Sequence, residues 1–368
     1  MPLAEELLGS AAVAGLADCL DRAGRPRDAR AVREAETRLD GLALRERSDL
    51  VRDVLTAHLP EGYAATQTVV RTALGDPGFT GWMIWPVTEA VVSRALDDDD
   101  PDSFEAALRL LAELTPRLTA EFAIRRMLRA DLTRALDVVR EWTGHPDEHV
   151  RRLASEGTRP RLPWAVRVPG LLDRPELTRP LLDALYRDPS EYVRRSVANH
   201  VNDISHAAPD LAVEIAAGWS AAPDAHTPRV VRHALRTAVK KGHPGALSLM
   251  GFEPATEVTV SAPRLGDDRV AVGDEITFAF DVHNEGAAPA KLVIDYVIHY
   301  RKANGATAPK VFKLTTRTLR AGEHVSITRR HSFRRITTRV FHPGAHALEL
   351  QVNGAVRGRA EFTLLAPS

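Results

Sequence analysis

A single cysteine, Cys19, stands in 368 residues. It excludes an internal disulfide, and in its apolar stretch it reads as a small buried hydrophobe. No run of 18 consecutive apolar residues occurs, so no membrane span is expected. The N-terminal stretch carries acids and no basic n-region, so no signal peptide is expected, and with one thiol the expected location is the cytoplasm. Net charge is missing as well, with 49 basic against 49 acidic side chains. There is no Gly-rich phosphate loop, no HExxH, no CxxC and no Gly-x-Ser-x-Gly elbow. The 14 histidines do not pair at metal-ligand spacing, so neither a metal nor another cofactor is expected. The acidic run DDDDPD at 97–102 has no Gly-centred EF-hand loop and reads as a solvated loop and helix cap.

What is present comes in two textures that meet near Gly251. Before it, apolar residues recur at helical spacing, as Phe104, Leu108, Leu111 and Leu114 do, and Pro and Gly punctuate roughly a dozen short helices. After it, segments such as ITFAFDVHN, KLVIDYVIHY, KVFKL, HVSIT and HALELQVNG alternate or run as β-branched and aromatic residues between turn signals. Seven or so strands over about 110 residues fit a small antiparallel sandwich of immunoglobulin type. The expected fold is therefore multidomain α plus β, with an all-α part at 1–250 and a β-sandwich at 251–368. Charge divides along the same line. Residues 252–368 carry 16 Lys+Arg against 12 Asp+Glu, an excess that favours an anionic partner.

The helical part repeats itself. HPDEHVRRLASEGTRP (145–160), DPSEYVRRSVANHVND (188–203) and TPRVVRHALRTAVKKG (227–242) echo one another, with Val150 and Val193 43 residues apart and Val231 38 further on. Helical units at about 40 residues are the signature of HEAT-like solenoids, whose second helices line one face. Each Val is expected in the core. The arginines after it would project from the inner face, and their recurrence suggests a groove that tracks an anion. Arg195 and Lys240 extend that basic track.

Within the first unit, Glu156 ends a helix, Gly157 stops it, and Pro160 and Pro163 stiffen the connector to Trp164, with Arg159 and Arg161 between. Asp203 comes at the same edge of the next repeat, and Glu121 lies on the preceding unit, followed by Arg125 and Arg126. The arginines would hold a phosphate backbone, the indole would attract a cationic group, and the carboxylates would stabilise positive charge on a sugar and position a water. That set suits cleavage of an N-glycosidic bond to a positively charged base, which leaves neutral and needs no general acid. The same residues also suit an architectural use, with Trp164 as a core anchor and the two acids bridged to arginines.

EHVRRLASEGTRPRLPWA, LYRDPSEYVRRSVANHVNDIS and GWMIWPVTEAV closely resemble the AlkC-type DNA alkylation-repair glycosylases, relatives of the AlkD-type enzymes in the HEAT-like glycosylase superfamily. DYVIHYRKANG, KVFKL and HPGAHALELQVNG resemble the immunoglobulin-like domain that some members carry. The resemblance implies a monofunctional base-excision-repair enzyme that needs no cofactor. It would hydrolyse the bond from deoxyribose to 3-methyladenine, and also to 3-methylcytosine, in duplex DNA without flipping the base. It further implies Glu156 and Asp203 as catalytic acids, Glu121 as an additional one and Trp164 beside the lesion. Arg152 and Arg159 would contact the DNA backbone or orient the acids. A monomer, acting at the nucleoid, is expected.

In the sandwich, SITRRHSFRRITTR (326–339) gathers Arg329, Arg330, His331, Arg334, Arg335 and Arg339. It reads either as an edge strand protected by charge or as a clamp on a duplex, with HSF and RRIT entering the minor groove. Two rivals to the glycosylase stand. One is a non-catalytic HEAT scaffold for nucleic acid or protein. The other is a nuclease, for which no metal cluster is in view.

Overall fold

The computed structural model describes residues 4–336 and 339–366. Its contacts divide the chain into two compact units, 1–234 and 235–368. In the first, the described residues form α-helices of 4 to 15 residues joined by turns, short 3-10 helices and one longer connector after Glu156. The stripe read in the sequence is real: Phe104, Leu108, Leu111 and Leu114 are all buried in the helix Asp102–Leu114.

The repeats set up the rest. Helix Glu148–Glu156 packs on Glu191–Ile204, which packs on Thr227–Ala234. Helices Arg179–Leu185 and Pro209–Ala221 pack against this row as the alternate helices of the repeats. Val150, Val193 and Val231 are buried. The first arginine of each Val-Arg-Arg does not face an open groove, contrary to expectation. Arg151 pairs with Asp188 of the next repeat at 2.6 Å and donates to the carbonyls of His145 and Pro146 at 2.8 Å. Arg194 is buried and donates to the carbonyls of Asp188 and Pro189. A guanidinium placed one turn into a helix reaches back to the carbonyls ahead of it, and the Arg151–Asp188 pair also ties one repeat to the next.

The second unit has nine strands among its described residues: β1 Val258–Val260, β2 Arg264–Leu265, β3 Arg269–Ala271, β4 Glu275–Asn284, β5 Ala290–Arg301, β6 Thr307–Leu319, β7 His324–Ser332, β8 Gly344–Val352 and β9 Ala355–Leu365. In one sheet β4 has β1 and β2 along one side and β7 along the other. The other sheet runs β3-β9-β8-β5-β6, antiparallel except for β3 with β9. The buried positions of β4 alternate, and Phe278 and Phe280 join Tyr296, Ile298, Leu348 and Leu350 in the core between the sheets. β9 lacks a strong apolar signal because its residues from 355 to 361 face outward or are half-buried.

The second unit begins before the change of texture at Gly251. Two short helices, Arg236–Lys240 and Pro244–Leu249, belong with the strands. The reason is a close approach: a Cβ on Gly242 would lie 2.7 Å from the Cα of Gly354 in the β8–β9 turn, and both glycines have φ near +75°. Among the described residues no helix is long and apolar enough to cross a membrane.

Candidate active site

The sequence separates Glu121, Arg152, Glu156, Arg159 and Asp203 by up to 82 positions, and the repeats bring them into one network. Glu156 closes its helix and Asp203 lies in the last turn of the next repeat's helix. Both are 6% exposed. Arg159, three residues beyond Glu156, joins them: its Nη1 donates to Glu156 Oε1 at 2.7 Å, while Nε and Nη2 grip the two Asp203 oxygens at 2.9 and 3.2 Å. Arg152 donates to Glu121 Oε2 at 2.5 Å and lies 3.4 Å from Glu156 Oε1. Its guanidinium rests 5.0 Å over the ring of Tyr192.

Three carboxylates thus share two guanidinia. Burial by itself would raise the Glu156 carboxyl. The charges of Arg152 and Arg159, with hydrogen bonds from Ser196 and Arg159, outweigh it and hold the group below its ordinary value. The Ser196 hydroxyl donates to Glu156 Oε2 at 2.6 Å. The site therefore holds a fixed carboxylate, suited to facing a developing cation and unsuited to giving up a proton.

The arch from Gly157 to Val166 carries the rest. Trp164 is 73% exposed, which removes the core-anchor alternative. The arch is held from beneath by Arg125, whose side chain is fully buried. Its Nε donates to the Val166 carbonyl at 2.5 Å and its Nη1 to those of Gly157 and Arg159 at 3.1 and 2.8 Å. Burial, then the nearby charges of Arg167 and Arg159, lowers this guanidinium to about 10. Arg125 looked in sequence like part of a phosphate-binding pair; its bonds instead go to main-chain carbonyls. No local pattern signals that, and Ser196 was not legible as a site residue either.

The remaining candidates are exposed. The Arg161 side chain is exposed while its backbone N–H donates to Asp203. Arg195 is exposed and lines a small cleft with Arg194, His226 and Arg229. Lys240 is exposed on its short helix in the second unit. Arg329 and Arg330 are exposed on β7, an edge strand, where Arg330 pairs with Glu275 at 3.3 Å. Arg334 and Arg335 follow it, also exposed.

The HSF segment is corrected by the structure. Phe333 is fully buried, and His331 is buried with its ring nitrogens 3.0 and 2.8 Å from the hydroxyls of Tyr296 and Tyr300. Neither reaches a groove of DNA, because inward alternation on β7 and just beyond it puts them in the core. Ile336 is exposed, whereas Thr337 and Thr338 lie outside the described residues. Among the described residues no group of His, Cys, Asp and Glu is arranged to hold a metal ion.

Comparison with known proteins adds the lineage. A family model described as the uncharacterised protein YhaZ, C-terminal Ig-like domain, matches residues 259–366. The uncharacterized protein YhaZ of Bacillus subtilis (strain 168) is 37% identical over 322 residues, 87% of each chain. Pseudomonas fluorescens alkylpurine DNA glycosylase AlkC, solved bound to DNA containing an abasic site analog, matches at a TM-score of 0.86 and 36% identity, covering 99% of this chain and 100% of that one. Likeness of that depth, end to end and through both units, reflects common descent: the chain belongs to the AlkC-type family of DNA alkylation-repair glycosylases, in the variant with a C-terminal immunoglobulin-like domain.

Proposed function

We propose that this protein is a monofunctional DNA glycosylase of base excision repair that hydrolyses the bond between deoxyribose and N3-alkylated bases in duplex DNA. 3-Methyladenine is its main substrate and 3-methylcytosine a further one. The observation that carries the reading is the buried Glu156–Arg159–Asp203 assembly at the root of an arch whose indole faces solvent.

An alkylated base already carries positive charge, so its glycosidic bond breaks without a proton being supplied. As it breaks, charge passes to the sugar. Glu156 and Asp203, fixed before the substrate arrives, stabilise the oxocarbenium-like deoxyribose without reorganising. One of them orients the attacking water, and Glu121 adds negative potential through Arg152. Trp164 packs on the sugar or base edge by CH–π and cation–π contact. An exposed indole and nearly buried acids offer no enclosed base pocket, which favours attack on a base that stays stacked. Arg161, Arg195, Lys240, Arg329, Arg330, Arg334 and Arg335 are the exposed cations available to phosphates. The protein works as a monomer, in the cytoplasm at the nucleoid.

The test is release of 3-methyladenine and 3-methylcytosine from defined duplexes in the presence of a chelator. The wild-type protein should release both. Glu156→Gln should bind the duplex and lose excision by about a hundredfold or more. A wild-type protein that binds but releases nothing would leave the helical-scaffold reading. Full activity of Glu156→Gln would remove that carboxylate from the mechanism.

A further inference from the structure

Trp164 has φ of 60°, the left-handed region that strains a bulky residue. Its ring is mostly exposed, so side-chain packing does not hold this backbone. Its carbonyl, however, accepts a hydrogen bond at 2.9 Å from Arg45 Nη2, 119 residues earlier in the chain. The guanidinium lies 5.2 Å from the ring centroid of Trp85 and 5.8 Å from that of Phe122, two rings that themselves pack at 4.9 Å. Phe122 directly follows Glu121. Arg45 rises from the first turn of the helix Leu44–His58, a turn fixed on both sides. Glu46 caps the N–H of Ala43 at 2.7 Å, and Arg47 donates to the carbonyls of Leu42 and Leu8.

We propose that Arg45 is a positioning residue: it holds the strained Trp164 backbone and so sets where the indole stands relative to the carboxylates. Arg125 fixes the two feet of the arch, and Arg45 fixes its crown. A planar guanidinium suits the task because it stacks on the two rings and still directs an N–H along the plane toward the carbonyl. The consequence for base excision rests on the glycosylase reading; the conformational claim does not.

Full-length protein labelled with 5-fluorotryptophan gives one fluorine signal for each of its five tryptophans. The Trp164 signal is the one that disappears in Trp164→Phe. Arg45→Met keeps an alkyl stem against Trp85 and Phe122 and lacks the donor. It should shift and broaden the Trp164 signal, leave those of Trp142 and Trp219 in place, and weaken affinity for a duplex carrying an abasic-site analogue by about tenfold. Arg45→Lys restores a donor and should return the signal toward its wild-type position. An unshifted Trp164 signal in Arg45→Met overturns the proposal. An unshifted signal with reduced affinity overturns it in favour of a direct phosphate contact. Absence of base release by the wild-type protein would sink the glycosylase reading and leave the fluorine result standing.

Discussion

The helical unit and the sandwich treat charge in opposite ways. The first buries it: Arg125, Glu156, Arg159, Asp188, Arg194 and Asp203 are all nearly inaccessible and bonded to one another or to main-chain carbonyls. The second keeps most of its charge outside and packs Phe278, Phe280, Tyr296, Tyr300 and Phe333 within. The pleat explains the sandwich, since every second residue of β4 and β7 points away from the core. Stacked helices differ because their ends converge, and whatever polar groups sit there are buried together. Glu156, unfavourable at a helix C-terminus, is offset by Arg159 immediately beyond it. Buried charge of this kind is weak evidence for stability and better evidence for a site.

The most severe way to break the contrast is Arg159→Met, which removes the guanidinium that two buried carboxylates share. It should lower stability by about 3–5 kcal/mol and abolish excision, read by urea unfolding and base release. Unchanged stability would show that water already solvates the acids.

Acid should separate the two units next. Burial lowers His200, in the helical unit, to about 4; its Nδ1 meets the Ser155 carbonyl at 2.9 Å and so carries the proton. The folded state then binds fewer protons than the unfolded chain between pH about 6.5 and 4, and stability falls across that window by up to about 3 kcal/mol. His331 in the sandwich is likewise lowered to about 4 by burial. There, however, burial pushes Asp295 up to about 6. That carboxyl takes up a proton on folding and contributes the opposite slope between about 3.8 and 6. The helical unit should therefore be the more acid-sensitive. All five tryptophans lie in it, so tryptophan fluorescence follows it selectively while far-UV dichroism of the strands follows the sandwich. Equal slopes would refute the compensation by Asp295.

Trp164→Gly removes left-handed strain at a residue that buries little. It should stabilise the helical unit by about 1 kcal/mol while weakening excision, a pairing that sharpens the distinction between a site and a core. Smallest in stability should be Arg329→Ser with Arg330→Ser on the β7 edge, within about 0.5 kcal/mol of wild type by thermal unfolding. Their effect should fall on DNA affinity, flattening its salt dependence by roughly one unit for each phosphate that is no longer neutralised.

Much of this was legible in the chain. The shift from helical to alternating periodicity marked two folds, the Val-Arg-Arg recurrence marked the repeats, and the run from Glu156 to Trp164 marked the arch. Arg45 and Arg125 were not legible, because a guanidinium that bonds a distant carbonyl leaves no spacing to read. Arg151 and Arg194 were misleading for another reason: each turns back to carbonyls just ahead of its own helix. His331 was hidden by the arginines around it: it is buried in phase with Ile327, while Arg329 and Arg330 beside it are exposed.

Sequence alone determined the elements, since periodicity, prolines and glycines act over a few residues. It also determined which acids and which indole are present. Only the tertiary structure decided that Glu156 and Asp203 share one guanidinium, that Trp164 stands outside on a strained backbone, and that His331 and Phe333 lie within. Each of these depends on which elements stack side by side, and that is set by packing between residues far apart in the chain.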